Sequence, residues 1–314
     1  MRKWLKKVFW VLLLLFILTN YIMYNHAYYF THFVPENIAN LKSEDINNKS
    51  FWKKLTLAIW GIKIGKPQNT EKPDINYKEV TFGQHPKLHA WWIPCDKQAK
   101  GIFIIFHGYN SSKSSQLDRA RVIRKLGFHT FLVDMRGHGD SEGLETSIGY
   151  HEAEDVKAAY NYIKFYYDLP IYLLGTSMGA VSVLKAMHDH QLKVKKLIIE
   201  CPFGSIRDAV NNRFENLKIP TLLLPQLLLF WGGLQNNMNC SEHNSAIYAE
   251  SVSIPTLVLY GRKDPKVRLH EINSVYNALL GEKQLEIINR AGHDHLMEDD
   301  SETWEKVVYG FLRE

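Results

Sequence analysis

A serine between two glycines stands at the centre of the segment "IYLLGTSMGAVSVLKAM", residues 171–187. Gly175 and Gly179 flank Ser177, with an apolar run before them and a run of helical character after them. A strand that turns at once into a helix leaves little space beside the turning residue, which favours glycine on both sides. Such a turn raises the serine hydroxyl to the positive end of a helix, where developing negative charge is stabilised. The segment therefore predicts a nucleophilic serine.

A nucleophilic serine needs a base, and the base needs an orienting acid. Two later segments that follow apolar runs, "GRKDP" and "AGHDH", supply Asp264 and His293. The order serine, acid, histidine is that of doubly wound hydrolases. Two alternatives remain at this point: Asp264 only caps a helix that begins near Val267, or His295 is the base in place of His293.

Acyl transfer through a serine also needs two backbone N–H groups to hold the tetrahedral oxyanion. The stretch "FHGYNSS" follows another apolar run and offers the N–H of Tyr109, and the turn after the serine offers that of Met178. His107 and His138 also lie beside glycines. We interpret these two histidines as loop-holding residues rather than proton-transfer groups.

Eight short runs rich in apolar residues are predicted to be the strands that position these groups. They cover 77–82, 88–94, 101–108, 128–135, 171–177, 196–202, 256–261 and 284–291. Segments with helical periodicity lie between them, at 113–126, 147–166, 178–190, 267–281 and 300–313. This alternation predicts an α/β fold with a mostly parallel, doubly wound sheet, whose chemistry collects at the carboxyl ends of the strands.

Composition excludes some classes of function. The 314 residues are 46% hydrophobic and 23% charged, as in an ordinary globular protein. Four of the charges behind the net +5 lie before residue 8, and no basic stripe interleaved with aromatics follows, so a nucleic-acid partner is not expected. The three cysteines are far apart and show no zinc-site spacing. The sequence contains neither a metal-ligand cluster motif nor a phosphate loop, so we expect no cofactor and no metal.

The N-terminus predicts a membrane anchor. Residues 1–7 are basic and residues 8–24 carry no charge, a length that can cross a hydrocarbon core. The apolar run does not end in the small residues of a cleavage site, which favours an uncleaved anchor over a secreted, cleaved form. The positive-inside rule then leaves residues 1–7 in the cytoplasm and places the remainder of a single-pass protein outside. Residues 25–76 are predicted to be a stalk and lead-in, and 77–314 the catalytic domain.

An insertion of about 203–254 separates two predicted strands, where a short connection would suffice. Its stretch 219–234 has no charged residue but is too short and proline-broken for a second span. One interpretation is a helical lid packed on the core. The other is that Leu228, Phe230 and Trp231 line an acyl-chain pocket or rest on the bilayer surface.

The segments "HGYN", "DMRGHGDSEG", "GTSMGA", "GRKDP" and "AGHDH" resemble, in order, those of the α/β-hydrolase superfamily. The resemblance covers roughly residues 77–314. It is closest in kind to bacterial, membrane-anchored serine hydrolases related to the serine aminopeptidase and prolyl oligopeptidase branch. It implies Ser177 as nucleophile, His293 as base, Asp264 as orienting acid, and Tyr109 and Met178 as oxyanion donors. It also implies a structural role for residues 134–143.

These observations predict a serine hydrolase that cleaves an ester, thioester or related acyl bond through an acyl-enzyme, with a small-molecule or lipid-like acyl substrate. A peptidase or an acyltransferase would use the same three side chains. A catalytically silent, membrane-anchored binding protein is the alternative from another class. A dehalogenase is disfavoured, because the turn carries Ser177 rather than an aspartate.

Overall fold

The computed structural model of the chain describes residues 2–39, 50–293 and 295–313. Its centre is an eight-stranded sheet. The strands are β1 (Lys78–Phe82), β2 (Leu88–Ile93), β3 (Ile102–Phe106), β4 (His129–Asp134), β5 (Ile171–Thr176), β6 (Leu197–Glu200), β7 (Thr256–Gly261) and β8 (Lys283–Ile288).

The strands lie in the order β1-β2-β4-β3-β5-β6-β7-β8. β2 runs antiparallel to β1 and β4, whereas each of the other neighbouring pairs is parallel. Each strand falls on one of the eight runs expected from the sequence. The predicted mostly parallel sheet is therefore confirmed.

Helices alternate with the strands of the parallel part, as the periodicity predicts. The helices are α1 (Arg2–Thr31), α2 (Phe51–Trp60), α3 (Leu117–Lys125), α4 (Glu152–Tyr166), α5 (Met178–His190), α6 (Ile206–Asn216), α7 (Leu224–Gln235), α8 (Ser245–Ala249), α9 (Leu269–Ala278), α10 (Leu296–Asp299) and α11 (Ser301–Arg313). Short 3₁₀ turns lie at Glu36–Ile38 and Lys113–Gln116.

The central strands are buried on both of their faces. Every residue of β3 and every residue of β5 is buried, with no alternation along the strand. Strands with one solvated face would alternate apolar and polar residues, so this pattern identifies strands covered by helices on both sides. The loops at their carboxyl ends are then the positions from which side chains can reach a substrate.

A buried ion pair joins three layers of the fold beneath the Ser177 turn. Arg119 of α3 donates through Nε to both carboxylate oxygens of Glu200, the last residue of β6, at 3.1 and 2.9 Å. The same carboxylate accepts from the Thr176 hydroxyl at 3.0 Å and from the Trp304 indole at 2.8 Å. Glu200 and Arg119 are 0% and 1% exposed, so each charge depends on the other for its solvation.

The helix α1 passes both tests for a membrane span, length and apolar composition, over Lys3–Thr31. Only 6% of its most apolar window is buried, unlike a core helix. It continues as one helix beyond residue 24, where the sequence pattern places the end of the span. In its last turns Ala27 and Thr31 are buried against the catalytic domain.

The described parts of residues 25–76 differ from the stalk expected from the sequence, because they pack on the domain. Phe33 is buried and its ring stacks on Tyr109 with centroids 5.9 Å apart. Val34 and Gly65 form a parallel β-bridge, so the two described parts of this segment also pair with each other. Burial of an aromatic side chain immediately after α1 is the physical reason that no free spacer separates the helix from the domain.

The insertion at about 203–254 contains α6, α7 and α8. α7 packs along α1. Trp231 of α7 donates through its indole N–H to Asn20 at 3.2 Å, and its ring meets Tyr24 edge-on at 5.4 Å. The insertion is therefore held against the N-terminal helix as well as against the sheet domain.

The Glu200 ion pair yields a stability prediction. Glu200→Ala leaves the buried Arg119 guanidinium with only the more distant Glu298 carboxylate, at 3.9 Å, and we expect the free energy of unfolding to fall by about 3–5 kcal/mol. The matched control is Glu250→Ala, since Glu250 is exposed; it should change stability by no more than about 0.5 kcal/mol. Urea titration of the full chain in detergent, followed by tryptophan fluorescence, measures both. Similar losses in the two variants would contradict the assignment.

Candidate active site

Ser177 occupies a strained turn between β5 and α5. Its backbone has φ 53° and ψ −114°, a region that a non-glycine residue rarely adopts and that costs on the order of 1–3 kcal/mol. A Cβ on Gly175 would lie 2.5 Å from the carbonyl oxygen of Gly179, and one on Gly179 would lie 2.5 Å from the carbonyl oxygen of Phe106. Neither position can hold a side chain unless the backbone moves, so the turn requires both glycines.

Ser177, His293 and Asp264 form one continuous hydrogen-bonded chain. Ser177 Oγ lies 2.8 Å from His293 Nε2, and His293 Nδ1 lies 2.6 Å from Asp264 Oδ2. A carboxylate only accepts, so Nδ1 carries the proton and Nε2 is left to accept from the serine hydroxyl. His293 and Asp264 are each 6% exposed, which keeps water from competing for these bonds.

Asp264 fills both of the roles that the sequence left open. Its Oδ1 accepts from the backbone N–H groups of Lys266 and Val267, at 2.7 and 2.9 Å, while Oδ2 faces His293. The two backbone bonds fix the plane of the carboxylate. Capping of the following turn thus orients the acid toward the histidine rather than competing with that contact.

His295 lies apart from this chain. It is exposed, it directly precedes α10, and Ser177 makes its side-chain contact with His293 instead. The structure thus places the first histidine of "AGHDH" beside the serine.

The two expected oxyanion donors lie on either side of Ser177. Met178 is buried and begins α5. Tyr109 follows Gly108, and a Cβ added to Gly108 would lie 3.4 Å from the Ser177 Cβ. Within the described part of the chain, the N–H groups of Tyr109 and Met178 donate to no backbone or side-chain acceptor. Two unpaired donors beside a nucleophile suit an oxyanion.

The phenol of Tyr109 ties its loop to the N-terminal helix. Its hydroxyl donates to the backbone carbonyl of Phe30 at 2.9 Å, and the two rings pack with centroids 5.3 Å apart. Burial raises the pKa of Tyr109 to about 12, so the hydroxyl remains protonated and able to donate at neutral pH. The end of α1 thus fixes the loop that carries one of the two N–H groups.

His107 and His138 hold loops, as the sequence suggests. His107 Nε2 accepts from the Met135 N–H at 3.1 Å, and His138 Nδ1 donates to the Arg136 carbonyl at 2.7 Å. Burial lowers the pKa of His107 below its usual range, and burial followed by the nearby His107 lowers that of His138 to about 3. Both rings are therefore neutral at physiological pH.

Asp134 is the centre of the 134–143 loop. Its carboxylate accepts from the backbone N–H of Lys113 at 2.7 Å and pairs with the Lys113 ammonium at 2.5 Å. Although burial opposes it, the Lys113 charge holds the pKa of Asp134 below its usual value. A Cβ on Gly139 would lie 2.1 Å from this carboxylate, which explains the glycine there.

Cys201 is a neighbour that sequence reasoning missed. Its sulfur lies within 4.8 Å of ligand atoms of Asp264 and His293, so the three could in principle surround a metal ion. Burial, together with the negative charge of Asp264, raises the pKa of the thiol well above its usual value. His293 Nδ1 already donates to Asp264 and its Nε2 faces Ser177, so neither ring nitrogen is left for a metal ion, and Cys201 fits a packing role beside the acid better than a ligand role. The signal in the sequence was its place at the end of a predicted strand.

The three predicted lid residues separate in the structure. Leu228 lines a cavity between α1 and the insertion. Phe230 is 60% exposed and Trp231 packs on Tyr24. None of these three side chains is part of the hydrogen-bonded chain of Ser177, His293 and Asp264.

Glycine substitution tests the geometry of the turn. Gly179→Ala forces a Cβ against the backbone of β3, and we expect a stability loss of about 1–3 kcal/mol, with at least a tenfold slower reaction of Ser177 with an organophosphorus probe. Gly310→Ala is the control, because a Cβ there meets nothing within 4 Å. Normal reactivity of the Gly179 variant would show that the turn tolerates a side chain.

Comparison with known proteins supports the fold. A family model described as "Serine aminopeptidase, S33" matches residues 97–249. The Bacillus subtilis protein YqkD is 24% identical over 213 residues, which cover 67% of this chain and 70% of that protein. Lysophosphatidylserine lipase ABHD12 of Rattus norvegicus is 23% identical over 243 residues, 76% of this chain but only 54% of the lipase.

Among solved structures, the Pyrococcus furiosus esterase Pf2001 superposes with a TM-score of 0.65 at 23% identity. The match covers 79% of this chain and 97% of the esterase. This likeness confirms the predicted hydrolase fold. Together with the sheet order and the serine turn between β5 and α5, it leads to one conclusion: the chain has the α/β-hydrolase fold.

Proposed function

We propose that the protein is a serine hydrolase that cleaves an ester or thioester through an acyl-enzyme. The observation that carries the proposal is the hydrogen-bonded chain from Ser177 through His293 to Asp264, each on a different loop at the carboxyl end of a strand. Three side chains distant in sequence meet in the one order that lets a histidine accept a serine proton.

In the first half of the reaction, His293 Nε2 takes the proton of Ser177 as Oγ attacks the carbonyl carbon. Asp264 remains ionised and stabilises the imidazolium through Nδ1–H. The tetrahedral oxyanion receives hydrogen bonds from the Tyr109 and Met178 N–H groups. The imidazolium then protonates the leaving alcohol or thiol, and the C–O or C–S bond breaks to leave Ser177 acylated.

In the second half, His293 removes a proton from water, and the hydroxide attacks the acyl carbon. The oxyanion forms again at the same two N–H groups. Its collapse returns the proton to Ser177 and releases the carboxylic acid. An acyltransferase would differ only in the acceptor that replaces water.

The substrate class is proposed from the relatives and from the surroundings of the site. Two of the similar proteins are a lysophosphatidylserine lipase and an esterase, both enzymes that act on esters. The insertion also exposes large apolar side chains, including Leu222 at 80% and Phe230 at 60% exposure. A lipid-like ester is the substrate that fits both observations.

We further propose that α1 is an uncleaved anchor with its basic end in the cytoplasm and the catalytic domain outside. Its last turns are part of the domain's packing, since Phe30 accepts from Tyr109 and Asn236 donates to Thr31 at 3.0 Å. Cleavage before residue 30 would remove much of α1, which packs along α7.

Labelling with a fluorophosphonate probe tests the nucleophile. The full chain in detergent should become labelled, Ser177→Ala should not, and His293→Ala should be labelled at least a thousandfold more slowly. The exposed Ser253→Ala serves as the matched control and should label like the parent. Persistent labelling of Ser177→Ala would overturn the nucleophile assignment, and an unlabelled parent would favour the silent binding protein.

A peptidase is the second candidate, because the matched family model is described as a serine aminopeptidase. An esterase and a peptidase differ in the leaving group of their substrates, an alcohol or an amine. We expect kcat/KM for p-nitrophenyl octanoate to exceed that for alanine p-nitroanilide by at least a hundredfold, since amides need protonation of a poorer leaving group. Ser177→Ala provides the background rate for both. Comparable values, or faster anilide cleavage, would favour the peptidase.

A further inference from the structure

A cavity of about 320 Å³ lies between the N-terminal helix and the insertion. One wall is the α1 face from Thr19 to Phe30, and the opposite wall comes from α6 and α7, with Val210, Phe214 and Leu228. At 1.5 Å per residue, the α1 wall is about 16 Å long. The cavity is therefore an elongated, mainly apolar slot, with a volume at the low end of the range for small-molecule sites.

One charged side chain lines this slot. Arg213 of α6 is solvent-accessible, and its guanidinium lies 5.1 Å from the centroid of the Phe30 ring. No carboxylate in the described part of the chain forms an ion pair with it. By contrast, Arg268, which also borders α6, pairs with Glu215 at 3.8 Å. An arginine without a counter-ion in an apolar wall is suited to an anionic ligand group.

The Arg213 end of the slot is the end closest to the catalytic loop. Phe30, which Arg213 covers, packs on Tyr109 and accepts its hydroxyl hydrogen bond. Gly108, the residue before Tyr109, lies against Ser177. The other end, at Thr19, lies on the part of α1 that is apolar and unburied. A ligand with an apolar tail and a polar head would thus have its head toward the reacting serine.

We propose that this slot binds the acyl chain of a single-chain lipid that carries an anionic group, and that Arg213 contacts that group. The proposal deepens the proposed function, on which it rests, by naming the substrate class. The small volume suits one chain rather than two, and the unpaired guanidinium favours an anion over a neutral head. The anion can be the phosphate of a lysophospholipid substrate or the carboxylate of the fatty-acid product.

Binding to the full chain with Ser177→Ala, in nanodiscs of zwitterionic phosphatidylcholine, tests the proposal without turnover. The probes are dodecanoate, dodecanoyl lysophosphatidylglycerol and the neutral monododecanoylglycerol, measured by competition with a fluorescent fatty acid. At least one anionic probe should bind more tightly than the neutral one. Arg213→Gln should weaken that binding about tenfold or more, since a charge-assisted hydrogen bond is lost, and leave the neutral probe unchanged.

Arg207→Gln is the matched control, since Arg207 is exposed on the same helix but does not line the slot; its affinities should equal those of the Ser177→Ala parent. Leu228→Trp fills the slot and should weaken all three probes. If Arg213→Gln weakens binding of the lysophospholipid alone, the slot is a substrate site. If it weakens binding of dodecanoate alone, the slot is a product site.

Three results would overturn the proposal: equal affinity for charged and neutral probes, unchanged binding in Arg213→Gln, or the same loss in Arg207→Gln. Failure here is distinguishable from failure of the proposed function. The reaction of the unsubstituted chain with the fluorophosphonate probe reports on the nucleophile and does not depend on what fills the slot.

Discussion

The turn at Ser177 is the constraint on which the rest of the structure depends. A serine held at φ 53° is unfavourable by itself, and it persists because Gly175 and Gly179 let the backbones of β5, α5 and β3 approach within contact distance. The buried sheet supplies the stiffness that holds this conformation. The Glu200 carboxylate, which accepts from Thr176 beside the turn, links the same region to α3 and α11.

The N-terminal helix is part of the packed structure as well as a candidate membrane span. The carbonyl of Phe30 holds the phenol of Tyr109, and Phe33 packs against both Tyr109 and His138. The loop that offers an oxyanion N–H is therefore positioned by the end of α1. Through α7, the same helix also holds the insertion, so α1, the insertion and the Tyr109 loop form one packed unit. Removal of α1 is then expected to affect more than localisation.

Most of the fold, and the choice of Ser177, Asp264 and His293 as candidate site residues, could be predicted from local sequence patterns. Apolar runs located the eight strands, and side chains that follow such runs must meet at one edge of a parallel sheet. Ser177, Asp264 and His293 could be chosen for this reason. Spacing alone could not distinguish His293 from His295. The two lie two residues apart in one loop, and the path of that loop in the folded chain decides which ring faces the serine.

Long-range packing could not be predicted in this way. No periodicity signals that Phe30 accepts from Tyr109, that Arg213 lies beside α1 without an ion-pair partner among the described residues, or that Cys201 lies against Asp264. These contacts join segments far apart in sequence, and those of Tyr109 and Arg213 depend on where α1 docks. Residues 25–76 were predicted to be a lead-in because the apolar residues that the described part buries, Ala27, Phe33 and Leu57, are scattered rather than periodic.

The central claim is that an acyl group passes through Ser177. Rapid-quench mass spectrometry of the full chain, mixed in detergent with excess p-nitrophenyl octanoate, tests it most directly. The account predicts a transient mass increase of one octanoyl group, located on the proteolytic peptide that contains Ser177 and lost as octanoate accumulates. Steady octanoate production with no acylated peptide, or with the acyl group on another residue, would contradict it.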